Sequence, residues 1–414
     1  MRKYKALMLI GDGMADRPLA ELGGKTCLEA ARTPHLDQAA KEGALGLLDT
    51  VAPGLRVGSD TSHLALLGYD PRATYTGRGP LEAMGVGMEV RRGDLGFRCN
   101  FSTVDDNMTV IDRRAGRIRE GTDRLAEAIN QIGPIEGVQV LFKESTEHRG
   151  ALILRGEGLS AEITDNIDPH EDGRPVGRCA ALEPGNKEAE FTAQVLNELV
   201  RRSYEVLKDH PLNKERQAAG ENPANIILPR GGGTAPHLKF FHEVHGISAG
   251  CVVEVGLIRG LARYLGMDVM DAPGATGSLD TDLDSIRATV LAALDKHPFV
   301  LCNVKGPDVA AHNGDAPAKI KMIEAIDGMF GALMPALKGE VVVAVLADHA
   351  TAVSTRDHTG DPVPLLLWGP EVLTDTSEAY HERAASHGGL NRFAGLHLSH
   401  VLTNLMNVQE KFGA

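Results

Sequence analysis

Three apolar runs of strand length each stop at a cluster of polar, chemistry-bearing residues, and this repeated pattern constrains the fold more than any other feature. Tyr4–Ile10 (YKALMLI) runs into Gly11-Asp12-Gly13. Phe299–Val304 (FVLCNV) is followed by Asp308 and His312, and Val341–Leu346 (VVVAVL) by Asp348 and His349. Short continuous apolar runs of this kind suit central, buried strands. Between the last two, Pro317–Leu333 places Ile320, Ile323, Ile326, Phe330 and Leu333 at helical spacing. Strand, helix, strand predicts a parallel βαβ unit. In open α/β sheets ligands bind at the carboxyl ends of the strands, so one sheet edge gathers these distant polar clusters.

The chain of 414 residues predicts two or three domains. Glycine accounts for 47 residues, about 11% against an ordinary 7% or so, as in a loop-rich α/β enzyme. Thr33-Pro34 ahead of His35–Gly43 reads as a capped helix start. Pro364–Trp368 reads as a further strand and Leu390–Val408 as a C-terminal helix. From Val86 to Arg202 short strands alternate with turns (GFRCNF, NMTVID, VQVLFK, RGALILRG), which predicts an antiparallel or mixed sheet in a second, inserted domain. The polar stretch Asp209–Asn225, with two prolines, reads as a loop or return linker. The expected organisation is a discontinuous core, residues 1–85 and 215–414, around an insertion, residues 86–214.

Net charge is −13 and no Lys/Arg-rich block occurs, which argues against a nucleic-acid partner. An acidic protein that handles an anion must concentrate positive charge locally, through metal ions or a few arginines. No run of about 18 apolar residues is present, so neither a transmembrane helix nor a membrane partner is expected. The apolar part of MRKYKALMLIGDG is too short for a signal peptide and is interrupted by Asp12. The five cysteines are scattered without a CxxC, which fits a reducing cytoplasm rather than a disulfide framework or cysteine zinc site.

Asp12, Asp308, His312, Asp348, His349 and His358 form the candidate donor set. Each alone at a strand end is more often structural. Together, Asp-x-x-x-His after one strand and Asp-His after the next point to a metal site. Three carboxylates and three imidazoles suit ions such as Mn²⁺ or Zn²⁺, and six donors exceed one tetrahedral zinc but fit two ions. In Val57–Leu67 (VGSDTSHLALL), Ser59 falls at a helix start, where N–H groups and the helix dipole favour anions. A metal-bound serine hydroxyl there is a candidate nucleophile. The competing reading is that Ser59, Asp60 and Thr61 simply cap the helix. His237, His242 and His245 lie in no ligand motif and read as structural or surface residues.

The segments GDGMADRP, GSDTSHLALLGYDP, GRGPLEAMGVGM, PDVAAHNGD and ADHAT…HTGDPVP, with FRCNFSTVDD and DRRAGRI between them, resemble in content and order the archaeal-type 2,3-bisphosphoglycerate-independent phosphoglycerate mutases of the alkaline phosphatase superfamily. The resemblance implies an alkaline-phosphatase-like α/β core, with a mostly parallel sheet flanked by helices, and an inserted smaller α+β cap that binds substrate. It implies two divalent ions, Mn²⁺ first with Zn²⁺, Co²⁺ or Mg²⁺ as alternatives, and no 2,3-bisphosphoglycerate. Asp12, Ser59, Asp348 and His349 match the ligands of one ion, and Asp308, His312 and His358 those of the other. Ser59 matches the serine that carries phosphate. The substrate class is a small phosphorylated carboxylate, for which Arg113, Arg114 and Arg117, Lys305 and His63 are the candidate contacts; a solvated charged turn competes for the arginines. The implied reaction interconverts 3-phosphoglycerate and 2-phosphoglycerate, in glycolysis and gluconeogenesis in the cytoplasm, with closure keeping water from the phosphoserine. The alternatives are a metal-dependent phosphomonoesterase, a mutase for another phosphorylated metabolite, and a metal-stabilised binding protein without turnover. GSDTSH departs from the Asn-Ser-Glu-Val-Gly-His form of the distant bacterial and plant enzymes, which leaves the role of Asp60 open, and the oligomeric state is equally open.

Overall fold

The structure, a computed structural model, describes residues 3–74, 77–411 and 413. The chain begins with β1 (Lys5–Gly11) and β2 (Ala44–Asp49). It then builds β3 (Leu95–Val104), β4 (Val110–Asp112), β5 (Gln139–Glu144), β6 (Arg149–Arg155) and β7 (Ile226–Thr234). It continues through β8 (Ala249–Val253), β9 (Asp268–Val269), β10 (Phe299–Val304) and β11 (Val341–Leu346). The last strands are β12 (Ala350–Ala352), β13 (Asp357–Thr359), β14 (Val363–Trp368) and β15 (Asn391–Ala394). Two compact units result: Met1–Thr74 with Leu238–Ala414, and Tyr75–His237.

The first unit is an eight-stranded sheet of order β15-β2-β14-β11-β1-β10-β8-β9. β1 pairs in parallel with both β10 and β11, and β14 runs antiparallel to both its neighbours. Every residue of β10 and β11 is buried, as continuous apolar runs in a sheet covered on both faces require. The expected βαβ unit is present. Its helix, Ala316–Leu337, extends beyond the apolar stripe at both ends, and the Asp315 carboxylate caps it by accepting from Ala318 N at 2.9 Å. The shorter helix Gly306–Asn313 precedes it and ends at Gly314, whose φ of 74° is left-handed.

The helix Pro34–Lys41 begins where the sequence suggests, but Thr33 makes no capping bond. The buried Asp327, from the helix Ala316–Leu337, caps it instead, accepting from His35 N at 3.0 Å and Leu36 N at 2.8 Å. The expected C-terminal helix is a correction: the segment opens as β15, parallel to β2, and only Leu398–Leu405 is α-helical. Among the described residues no helix is long and apolar enough to cross a membrane.

The second unit is antiparallel throughout: β3 pairs with β4, β6 and β7, and β6 with β5. The helices Thr122–Asn130 and Lys187–Leu207 pack with β3, β5, β6 and β7 in a common core. Ala83, of the helix Gly79–Gly85, forms a second small cluster with Ala151 and Ile153 of β6. The unit is therefore larger than the predicted insertion of residues 86–214. Gly79–Gly85 belongs to it because it lies so close to β3 that a Cβ on Gly79 would meet the Gly96 carbonyl oxygen. β7 belongs to it through its ladder to β3. The expected linker Asp209–Asn225 holds a helix, Pro211–Ala218, with proline in its first turn and His210 Nδ1 accepting from Leu212 N. Its buried Asn213 donates to Leu207 O and Ala224 O at 2.8 and 2.9 Å.

Replacing Asp327 by Ala strips two helix N–H groups of their acceptor, and we expect a loss of about 1–2 kcal/mol. Asp327→Asn keeps an acceptor oxygen and should lose less. Urea unfolding monitored by circular dichroism measures both, and equal stability of wild type and Asp327→Ala contradicts the capping role.

Candidate active site

The carboxyl ends of β1, β10 and β11 meet because β1 lies between the other two. Asp12 follows β1, Asp348 and His349 follow β11, and Asp308 lies in the first turn of the helix after β10, with His312 one turn on. Asp12, Asp308, Asp348 and His349 are each at most 2% exposed. His358 comes from β13, which pairs with β12 immediately after the Asp348-His349 step.

Each imidazole is oriented through one nitrogen. His358 Nδ1 donates to Val57 O at 2.7 Å and His312 Nδ1 to Arg356 O at 2.9 Å. His349 Nδ1 is 3.0 Å from Thr351 Oγ1, which itself donates to Asp308 Oδ1 at 2.7 Å, so the hydroxyl accepts from the ring. In all three the Nε2 lone pair is left for another partner, the arrangement typical of metal-ligating histidines. His349 Nε2 lies 3.2 Å from Asp348 Oδ2, 3.7 Å from Asp12 Oδ1 and 3.1 Å from Ser59 Oγ. With its Nδ1 protonated, His349 accepts from the serine hydroxyl.

Ser59 is the first residue of the helix Ser59–Leu66, where backbone N–H groups lack intrahelical carbonyls. Gly58, not Ser59, occupies the cap position, so the helix-cap alternative does not describe the Ser59 hydroxyl. Asp60, the second helical residue, accepts from Thr61 N at 2.9 Å. His63 donates from Nδ1 to Ser59 O at 2.7 Å and is fully buried; Asn303 Nδ2 bonds its Nε2 at 3.3 Å and Asp12 Oδ2 at 3.0 Å. His63 thus braces the serine backbone and has no face open to a ligand.

The electrostatics call for added positive charge. Burial first, then the neighbouring Asp348 charge, pushes Asp12 up to about 8. Burial also opposes ionisation of Asp308, but the His358 imidazole, 3.5 Å away, and Lys305 pull its pKa far below the usual range. Lys305 Nζ is 2.7 Å from both Asp12 Oδ1 and Asp308 Oδ2, and these carboxylates outweigh its own burial and raise its pKa. Burial drives His349 down to about 3, so it stays neutral. Asp348 Oδ2 is buried with no hydrogen-bond partner. An orphaned carboxylate oxygen, a carboxyl forced towards its neutral form and inward imidazole lone pairs all fit divalent cations.

Two groups of donors converge, Asp308-His349-His358 and Asp12-Asp348-His349. The geometry departs from the expected division in two respects. His349 is within reach of both groups, its ring stacked on His358 with centroids 3.7 Å apart. His312 belongs to neither group; it stays 3.4 Å from Asp308 Oδ1 through Nε2, with 40% of its side chain exposed.

Of the three expected arginines, Arg113 is engaged elsewhere: its guanidinium forms a bidentate pair with buried Asp168, both distances 2.8 Å, and bonds His170 O at 3.0 Å. Arg114 and Arg117 are exposed. A basic cluster missed from the sequence lies in the same unit. Arg98 of β3 and Arg230 of β7 sit directly opposite each other in the ladder, a like-charge pairing that is destabilising by itself and is only loosely offset here by Glu82, 4.0 Å from Arg98, and Asp168, 3.7 Å from Arg230. Both Nε groups are buried without a hydrogen-bond partner. Burial lowers the Arg98 pKa; Glu82 opposes this, and Arg230, Arg78 and Arg149 add to it. The one available signal was a lone arginine within the otherwise uncharged run LGFRCNFS.

The sequence model of one family, described as 2,3-bisphosphoglycerate-independent phosphoglycerate mutase, matches residues 40–213. A protein of that name from Methanosphaera stadtmanae is 50% identical over 412 residues, 99% of this chain and 100% of its own. Another from Methanothermobacter thermautotrophicus is 50% identical, with 99% and 100% covered. The solved structure of a Pyrococcus horikoshii protein matches with a TM-score of 0.86 at 36% identity, covering 100% of both chains. That of a cofactor-independent phosphoglycerate mutase from Thermoplasma acidophilum matches with a TM-score of 0.78 at 34% identity, covering 97% of this chain and 100% of its own. The chain belongs to the 2,3-bisphosphoglycerate-independent phosphoglycerate mutase family.

Proposed function

We propose that this enzyme interconverts 3-phosphoglycerate and 2-phosphoglycerate through a phosphoserine on Ser59. The observation that carries the reading is the Ser59 hydroxyl, at a helix N-terminus and 3.1 Å from His349 Nε2, amid three buried carboxylates. Asp12, Asp348, His349 and Ser59 would hold one divalent ion, and Asp308 and His358, with His312 beside them, the other. When bound, the ions supply the positive charge that eases loss of the Ser59 proton and offsets charge on the phosphoryl oxygens. Ser59 Oγ bonds to phosphorus as the bond to the first glycerate oxygen breaks. The proton that Ser59 gives up leaves on the first glycerate oxygen; the other glycerate hydroxyl then takes the phosphoryl group from Ser59 Oγ and its proton returns to Ser59, so the cycle is proton-neutral. Lys305 bridges Asp12 and Asp308 and holds Asp308 charged, and His63 fixes the helix turn that presents Ser59. The insertion acts as the substrate-binding cap, with Arg98 and Arg230 as the principal anion contacts and Arg78, Arg149, Arg114 and Arg117 around them. Mn²⁺ is the preferred ion, the reaction needs no 2,3-bisphosphoglycerate, and the setting is cytoplasmic.

³¹P NMR of 3-phosphoglycerate with Mn²⁺-loaded enzyme, without added bisphosphoglycerate, should show 2-phosphoglycerate growing with little inorganic phosphate. Ser59→Ala should abolish it. Inorganic phosphate as the main product would turn the reading to a phosphomonoesterase.

Because Asp12 holds a proton below about 8, cation binding there must displace it. Apparent Mn²⁺ affinity should therefore climb from pH 6.5 to 8 and level off above, by up to about tenfold per pH unit. Calorimetry in buffers of different ionisation enthalpy would register the released proton, and a pH-independent affinity would contradict this role for Asp12.

Arg98→Ala and Arg230→Ala should each raise KM for 3-phosphoglycerate by about 10–100-fold, the value of a hydrogen bond to a charged group. Mn²⁺ affinity should not change, since the donors belong to the other unit. Steady-state kinetics with parallel Mn²⁺ titration tests this, and an unchanged KM removes the arginine pair from the site.

A further inference from the structure

Lys319 lies on the helix Ala316–Leu337 with its side chain wholly buried. Its ammonium donates to Ala15 O at 3.0 Å, Asp16 Oδ2 at 3.0 Å and Thr351 O at 2.8 Å. An ammonium has three N–H donors, and all three are used. The acceptors come from two loops. One continues from Asp12 through Gly13 to Asp16; the other runs from Asp348 and His349 to Thr351.

These loops also touch directly, through Gly13 N to Asp348 Oδ1 at 3.1 Å and Thr351 N to Ala15 O at 3.1 Å. Thr351 is the joint. Its backbone carbonyl meets Lys319, while its hydroxyl accepts from His349 Nδ1 and donates to Asp308 Oδ1. A shift of Thr351 therefore moves a donor from each of the two groups. Asp16 is itself held, by Val353 N at 3.2 Å and by its own N–H to Glu382 Oε1 at 3.0 Å, so Lys319 pulls against a fixed anchor. The same helix buries Met322, Ile323, Ile326 and Phe330 in the apolar core, whereas Lys319 spends all its donors on the two loops and on the buried Asp16 carboxylate.

We propose that Lys319 is a positioning residue that sets the spacing between the two donor groups by tying the loop after β1 to the loop after β11. The inference rests on the metal-centre reading above. The test uses the full chain with Lys319→Met. Mn²⁺ affinity is measured by calorimetry, kcat and KM for 3-phosphoglycerate at saturating Mn²⁺, and Tm without metal. Positioning predicts Mn²⁺ affinity weaker by about 10–100-fold, the usual loss when a residue supporting metal ligands is removed. It also predicts a comparable fall in kcat with KM within about twofold, since substrate binding itself is not touched. A lower Tm with unchanged Mn²⁺ affinity and kcat makes Lys319 a purely structural residue and overturns the proposal. If wild-type protein binds neither Mn²⁺ nor Zn²⁺, the metal-centre reading falls and this inference with it. If Lys319→Met does not fold, Asp16→Asn carries the test: it weakens the ammonium's ionic partner but keeps the backbone acceptors. Weaker Mn²⁺ binding in that variant supports the proposal, and unaltered binding refutes it.

Discussion

Mutual repulsion among Asp12, Asp308 and Asp348, held out of water at the end of a parallel sheet, is the interaction on which the rest of the core depends. Lys305 alone cannot balance it. Such a cluster persists only where the scaffold prevents its members from separating. The scaffold here is β1 between β10 and β11, three strands with fully buried interiors and fixed parallel register. The stability of that apolar centre sustains an uncomfortable polar rim. Carboxylates from positions 12 and 348 meet because the register leaves them no alternative.

The inserted unit meets the same problem with the opposite sign. Arg98 and Arg230 face each other across a ladder, with two buried guanidinium N–H groups unsatisfied. A sheet of this length could accommodate neutral residues there more cheaply. One unit therefore gathers buried carboxylates with few cations, and the other gathers guanidinium groups whose carboxylate neighbours, Glu82 at 4.0 Å from Arg98 and Asp168 at 3.7 Å from Arg230, leave their buried Nε groups without a hydrogen bond. Arg113 shows the contrast: neutralised by Asp168 and bonded to a backbone carbonyl, it has nothing left to offer a ligand.

What was legible in the sequence follows from range. The buried strands announce themselves as continuous apolar runs, and the residues just beyond them, Asp12, Asp308, Asp348 and His349, were found because a strand end is a local signal. His358 and Ser59 followed from motifs. The Pro211–Ala218 helix was misread because its two informative residues, a proline and a polar cap, are also those of a loop. Asp327, Asn303, Thr351 and Lys319 escaped notice for a different reason. Each acts on a partner far away in sequence or through a backbone carbonyl, and nothing in the local pattern marks a buried lysine as different from an exposed one at the same helical spacing. The place of His349 within reach of both donor groups was not legible for the same reason, since it depends on Thr351.

That dependence is one instance of how the imidazoles are fixed by neighbouring groups. The Nδ1 protons of His312 and His358 are bound to main-chain carbonyls, and that of His349 to a hydroxyl oriented by Asp308. Tautomer and ring plane are thus fixed by covalent geometry and by neighbours that do not titrate with the ring. A donor set arranged in this way loses little side-chain freedom when it binds an ion, so more of the binding free energy is retained as affinity. The carboxylates differ. Asp348 is held by the amides of Gly13 and His349 through one oxygen, which leaves the other bare. The same backbone that locks the imidazoles therefore also leaves one oxygen of a buried carboxylate without a hydrogen bond, a desolvation cost that the fold carries at the centre of the donor cluster.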